Sequence, residues 1–395
     1  MEEDKRQLNI MLFLPELFCM LLVVMGIYGV SYLEQLAFDK TLSCIVMAVL
    51  GVALVGFRVR REYLDDELHY DNAKHLSRFW LGFLGGIAVS FACVFLPVEG
   101  WPFLPVFVML SLFSSPVAGI VASIVLMMIP ALLSGASVGV FFLYLLSGIF
   151  GVCLFCRIEN EVKIGIPLFL SVLSLLVCET ASLILTANKR PAFEDFVVPV
   201  VNLIISCVLL LGLIKVFSTQ VVYPLRVQYL ELNDTENEIL VNCKKEDRDK
   251  YFHGVHTAYF CERIAGRFSM DVNAIKCAAY YHKIVEEAPA IMKKYKFPPA
   301  AVRLLNEYIT RDEGEHDSWE KETAVLMCAD EIVSSITKLL KEDKNATPDY
   351  DKIVDSVFKK FDDRKVFFNS NLTLKELITM HKIFKEEKLY YDFLR

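Results

Sequence analysis

From Asn9 to Phe217 the chain runs in stretches of roughly 18 to 22 apolar residues separated by short polar breaks, and this constrains the fold more than any other feature. A helix of that length covers the ~30 Å of hydrocarbon in a bilayer. Inside hydrocarbon each backbone amide must find its partner within its own segment or in a closed barrel, and uninterrupted runs of this length read as helices. The runs fall at residues 9–31, 42–58, 79–97, 102–115, 116–134, 137–156, 165–186 and 196–217, the fourth being the shortest. The reading is a polytopic all-α bundle of about eight helices over residues 1–217. After Val221 such runs stop.

Orientation follows from lysine and arginine, which favour the cytoplasmic side in short loops. With the N-terminus inside, Lys5, Arg6, Arg58, Arg60, Arg61, Lys74, Arg78, Arg157 and Lys163 fall in the cytoplasm, and Lys40, Lys189 and Arg190 fall outside. Eight crossings place the C-terminal region inside too. A re-entrant fourth run would break that parity. The first run is followed by a second rather than by a small-residue cleavage site, so no cleavable signal peptide is expected. The outer loops are short, and Tyr32 to Thr41 is too small for a sensor domain.

Two acidic residues lie within apolar runs: Glu16, after Pro15, and Glu179, within VCETASL. Such residues are costly in a membrane and mark either a proton, ion or ligand site or a carboxyl hydrogen-bonded inside the bundle. The second is commoner, and no lysine or arginine is expected deep in a span to pair with them. The net charge of −7 argues against a nucleic-acid binder, which carries a clustered basic face. The 11 cysteines show no paired spacing of a disulfide framework, and Cys153 with Cys156 forms a lone CxxC without the second pair of a zinc site.

Residues 218–250 read as a linker: Pro224 marks a break, LRVQYLELND a short helix, and ENEILVNCKKEDRDK a charged connector. From Tyr251 to Arg395 apolar residues recur at helical spacing, with further helices expected at 272–284, 297–309, 319–341, 349–361 and 373–392, and no alternating strand pattern. Thr373 with Glu376 makes a capping-box pattern, and Asp271 precedes the 272–284 helix as its cap. His253 opens one helix and His282 closes the next, so two imidazoles can converge. Asp330 sits in apolar AVLMCADEIV, where a carboxylate is expensive unless paired, hydrogen-bonded or bound to metal. Phe260, Ile264, Ala278, Leu326 and Ile332 are the expected core.

The segments VVYPLRVQYLELND, YFHGVHTA, CAAYYHKI, KYKFPPAAV, ETAVLMCADEIVSS and NLTLKELITMHKIF, in this order, make the chain from about Thr41 to Arg395 resemble the seven-transmembrane HD receptor family of bacteria. Its best-known members are membrane phosphodiesterases that hydrolyse cyclic di-AMP. The resemblance implies a cytoplasmic all-helical HD-type domain at 251–395, a bacterial plasma-membrane location, a divalent metal (iron or manganese) and a cyclic dinucleotide as ligand. With the charge balance, no nucleic acid is expected as a partner, and a homo-oligomer stays open. The family's large extracellular domain is missing here.

The family's metal ligands carry over in part. His253 matches the first His, His282 the His of the His-Asp pair, and Asp330 the last Asp. Lys283 stands where the bridging aspartate belongs, Val285-Glu286 replaces Gly-Lys, and Tyr308-Ile309-Thr310 replaces His-His-Gly; a further His-bearing segment is deleted. One positive charge against a divalent ion at ~4 Å, at an effective dielectric near 20, is a repulsion of about 8 kcal/mol, which Lys283 can escape by turning to solvent on its long stem. His256, Glu307 and the His316-Asp317 pair are the substitutes to weigh. His69, His75 and His381 have no supporting pattern. The expectation is a membrane signalling or regulatory protein with a catalytically impaired HD domain and a weak or absent metal; the alternative is an active phosphohydrolase with substitute ligands. A transporter or channel with a cytoplasmic regulatory domain draws only on Glu16, Glu179 and the spans.

Reporter fusions after Arg61 and Arg157 are expected to read as cytoplasmic, and fusions after Leu36 and Asn188 as external. A cytoplasmic signal at Asn188 would overturn the topology.

Overall fold

The computed structural model describes residues 2–65, 68–155, 164–187, 192–268, 270–311, 318–342 and 349–387, with side chains from Phe13 onward. Among these residues every regular element is a helix. The chain forms two compact units, Met1–Tyr223 and Pro224–Arg395.

The first unit contains α1 (Glu2–Leu33), α2 (Phe38–Leu64), α3 (Leu76–Cys93), α4 (Phe103–Leu112), α5 (Pro116–Ser134), α6 (Val138–Phe155), α7 (Gly165–Ala187) and α8 (Val197–Phe217). Among the described residues, seven helices are long and apolar enough to cross a membrane, α4 being the exception. Large apolar side chains such as Leu17, Leu21, Leu50, Leu54, Leu146 and Val208 stand exposed around the unit. An apolar belt of that extent fits lipid rather than water. These features suggest a multi-pass membrane protein.

The run at 102–115 does not span by itself. Its 10-residue helix is about 15 Å long, half the hydrocarbon thickness. Two prolines set its limits, because a residue before proline is pushed out of the helical region. Trp101, before Pro102, and Ser115, before Pro116, are both extended. Ser115 then caps α5 by accepting from the Ala118 N–H at 3.1 Å. Even so, the segment connects two levels of the bundle. Its far end is tied to the α2–α3 loop: the Ser114 carbonyl accepts from the His69 N–H at 3.1 Å, and Asn72 donates to the Leu112 carbonyl at 2.9 Å. At its near end the Trp101 N–H donates to the Tyr144 hydroxyl, partway along α6, at 3.0 Å.

Polar groups within this unit are paired across helices. Helix α2 continues past residue 58 to Leu64, and this corrects the expectation that no cation lies within reach of Glu16. Arg60 forms an ion pair with Glu16 and covers the Phe13 ring at 3.9 Å. Glu62, unremarked in the sequence, is fully buried; it pairs with Arg58 at 2.7 Å and accepts from Ser115 Oγ at 2.6 Å.

Pro224 does not break the chain's helical course. Helix α8 passes through a wide π turn, Ser218–Val222, into α9 (Tyr223–Leu232). Proline has no N–H to give the Gln220 carbonyl, and Arg78 Nη2 donates to it instead at 3.2 Å, while Arg78 Nη1 holds Asp71 at 2.8 Å.

The second unit continues with α10 (Glu238–Glu246), α11 (Arg248–Ala265), α12 (Val272–Glu287), α13 (Ala290–Lys294), α14 (Pro299–Thr310), α15 (Lys321–Glu342), α16 (Tyr350–Asp363), α17 (Val366–Asn369) and α18 (Leu374–Glu386). Residues 218–250, read as a linker, are thus largely helical. The C-terminal part of the helix expected at 373–392 lies outside the described residues, as do Cys156, Arg157, Lys163, Lys189 and Arg190. Starts follow side-chain chemistry: Asp247 caps α11, Asp271 caps α12 with two backbone N–H bonds, and Thr373 with Glu376 closes a capping box on α18. Phe260, Ile264, Ala278, Leu326 and Ile332 are all fully buried in one core.

Gly254 sets the approach of α11 to α12. A Cβ there would lie 2.8 Å from the Tyr280 carbonyl oxygen, a backbone atom that cannot swing aside. Gly254→Ala is expected to destabilise the fragment Pro224–Arg395, which carries its own core, by about 1–3 kcal/mol. Urea unfolding followed by circular dichroism reads the difference, and an unchanged midpoint would show that the helices are not spaced at this residue.

Candidate functional site

Three helices bring the singled-out residues together. Helix α11 presents His253 near its start, α12 presents His282 near its end, and α15 presents Asp330 from its buried face. Their ligand-type atoms lie within 4.8 Å of one another. His282 is fully buried and Asp330 is 8% exposed, so a carboxylate here requires compensation from protein groups or from an ion.

The compensation is supplied by side chains. Asp330 Oδ1 lies 2.6 Å from His253 Nε2 and 3.2 Å from His282 Nε2. Asp330 Oδ2 accepts from the Tyr308 hydroxyl at 2.7 Å and from Lys283 Nζ at 3.2 Å. Lys283 Nζ also donates to the Tyr308 hydroxyl at 2.8 Å. The Lys283 side chain therefore does not turn to solvent: its amine neutralises the carboxylate, and only about a quarter of the side chain is exposed, 28%. Tyr308 acts here as a donor to the carboxylate. Neither role was foreseen, because each depends on helix α14 placing Tyr308 against α12 and α15.

The electrostatics agree with this arrangement. Burial alone would raise the Asp330 carboxyl, but the two imidazoles and the Lys283 charge outweigh it and hold the group well below the usual carboxylate range. Burial and the adjacent Asp330 charge push the Tyr308 hydroxyl up, so it stays protonated and can donate. Burial lowers His282 more than Asp330 raises it, favouring the neutral ring. His282 Nδ1 is 2.7 Å from the Ala279 carbonyl and Nε2 is 3.2 Å from Asp330 Oδ1; both oxygens only accept, and the single N–H of the neutral ring serves one of them at a time. At Oδ1, His253 supplies the proton.

The residues do not fit a two-metal centre. Both oxygens of Asp330 are engaged by protein donors, and an ammonium occupies the Oδ2 side. The Oδ1 side retains three donors, but ligands of one tetrahedral ion at about 2.1 Å stand about 3.4 Å apart, wider than the 2.6 Å between His253 and Asp330.

The other candidates lie elsewhere. His256 packs beside the Phe252 ring and is not in the group. Glu307 accepts from the Glu320 N–H at 3.1 Å. His381 and His75 pair with Asp355 and Asp71. His316 and Asp317 lie outside the described residues. Glu16 and Glu179 both belong to the first unit. No protein-family model matches the chain, and no curated protein or solved structure matches it either.

A pH dependence follows. Burial and the neighbouring His253 push His256 down to about 4 from an ordinary value of 6.5, and His282 is lowered as well. The unfolded chain therefore binds more protons than the folded one as pH falls below about 6.5, and stability rises with pH across that window. Asp330 has the depressed carboxylate's sign: its contribution is present above the unfolded value of about 3.9 and lost at lower pH. The urea midpoint of Pro224–Arg395 is expected to fall between pH 7 and pH 5, less steeply in His256→Gln, with m unchanged; a flat profile would contradict the neutral, buried imidazoles.

Proposed function

We propose that this chain is a multi-pass signalling or regulatory protein of the bacterial plasma membrane, with both termini in the cytoplasm, whose second unit is an HD-type domain that does not hydrolyse phosphodiesters. The observation carrying this reading is the closure of Asp330 by His253, His282, Lys283 and Tyr308. Hydrolysis of a phosphodiester by such domains relies on divalent ions that neutralise phosphate and lower the pKa of a water. Here a lysine supplies the balancing charge permanently, without open coordination positions for water or substrate. The domain then acts by binding, with a cyclic dinucleotide as the candidate ligand that the family resemblance suggests.

A second reading, a phosphohydrolase using one divalent ion, is favoured by a single feature. The ligand-type atoms of His253, His282 and Asp330 converge to within 4.8 Å of one another. His253, His282 and Asp330 would be its protein ligands.

Cyclic di-AMP hydrolysis by the full-length protein, in excess manganese or ferrous iron, is expected to be negligible. Lys283→Asp is expected not to restore it, because one carboxylate does not replace the remaining histidines of a two-ion centre. Metal analysis is expected to be substoichiometric. Turnover by the wild type that His253→Ala or Asp330→Ala abolishes would establish the second reading.

A further inference from the structure

Glu179 on α7 is 1% exposed, and its Oε2 is buried with no hydrogen-bond partner. Its Oε1 accepts from Asn202 Nδ2, on α8, at 2.7 Å. That amide nitrogen has only two protons, yet three further oxygens crowd it: the Glu99 carbonyl at 3.1 Å, the Trp101 carbonyl at 3.3 Å and the Tyr144 hydroxyl at 3.5 Å. The Tyr144 proton is already committed to the Val98 carbonyl at 2.7 Å. Ser206 Oγ lies 3.3 Å from Asn202 Oδ1, on the other side of the amide. Oxygen acceptors therefore outnumber donors, and the excess includes a formal negative charge. The Trp101 indole N–H is also buried without a partner, but a neutral donor does not offset that charge.

Glu179 differs in this from the other buried acids of the first unit. Glu16 has Arg60 and Glu62 has Arg58, whereas Glu179 makes no ion pair among the described residues. Among the described residues the titratable groups around it are Tyr144 on α6, Glu99 in the turn before α4 and its own neighbour Cys178, none of them cationic. From α8 it meets Asn202 and, through it, Ser206, both neutral. A carboxylate in hydrocarbon without a counter-charge is unstable unless a cation joins it or a proton neutralises it.

We propose that Glu179, with the Tyr144 hydroxyl and the Glu99 and Trp101 carbonyls that crowd the same Asn202 amide, binds one small monovalent cation, sodium or a proton. Carboxylate, carbonyl and hydroxyl oxygens are the ligands a hard ion prefers, and a proton on Glu179 delivers the same single charge. The cluster joins α6, α7 and α8 to the Val98–Gly100 turn, and α4 begins three residues after that turn. Occupancy therefore controls how firmly the start of α4 is fastened. This site is independent of the Asp330 cluster and of the function proposed for it.

The test uses the full chain in lipid nanodiscs, with thermal unfolding in sodium chloride against choline chloride at fixed ionic strength and at several pH values. The expected result is a rise in melting temperature of about 2–5 °C with sodium, or with falling pH in its absence, which is lost in Glu179→Gln. A sodium effect identifies sodium as the occupant, and an effect of pH alone identifies the proton. Dependence on neither, or an equal dependence in Glu179→Gln, overturns the proposal. Should that variant fail to fold, infrared difference spectra of the wild type decide: exchanging sodium for choline, or shifting pH, must change a buried carboxyl band, and an unchanged spectrum overturns the proposal.

Discussion

The second unit depends on one constraint, the burial of the Asp330 carboxylate in an apolar core. A carboxylate so placed is tolerable only if both oxygens are satisfied and the charge is balanced. Helices α11, α12, α14 and α15 each contribute to that balance through His253, His282 with Lys283, Tyr308 and Asp330 itself. The packing of four helices and the electrostatics of one carboxylate are therefore a single problem. Gly254 belongs to it because the close approach of α11 to α12 brings the two imidazoles to the same oxygen.

The same chemistry decides what the cluster can do. A metal is a removable charge with open coordination positions, so it can hold water and phosphate. A lysine ammonium is attached and strongly hydrated, with three donors and no capacity to acidify water in that way. Lys283 and Tyr308 direct their donors at Asp330. Tyr308 bridges Lys283 and the carboxylate.

In the first unit the governing constraint is that hydrocarbon satisfies no polar group. Glu16 with Arg60, and Glu62 with Arg58 and Ser115, are neutralised across or along helices at the end of the bundle that carries the arginines. Glu179 is hydrogen-bonded by Asn202 and, among the described residues, makes no ion pair. The short α4 obeys the same rule: its ends are taken up by Asn72 at one side and by Tyr144 and Asn202 at the other.

The sequence by itself determined the class of the fold. Apolar run length identified the long helices of the first unit, and helical spacing with Asp271, Thr373 and Glu376 as caps identified those of the second, because both signals are local and backbone hydrogen bonding makes them so. It also marked His253, His282 and Asp330, since a buried acid and two histidines at helix ends are chemically conspicuous. It failed where the answer lay in contacts between distant segments. Arg60 was read as a loop cation, yet it faces Glu16 because α2 is longer than its apolar run. The run at 102–115 has the composition of a span, but Pro102 and Pro116 cut it to half length. Lys283 is a flexible side chain whose direction no periodicity encodes, and only the meeting of α12, α14 and α15 turned it towards Asp330, where the alternative was an uncompensated buried charge.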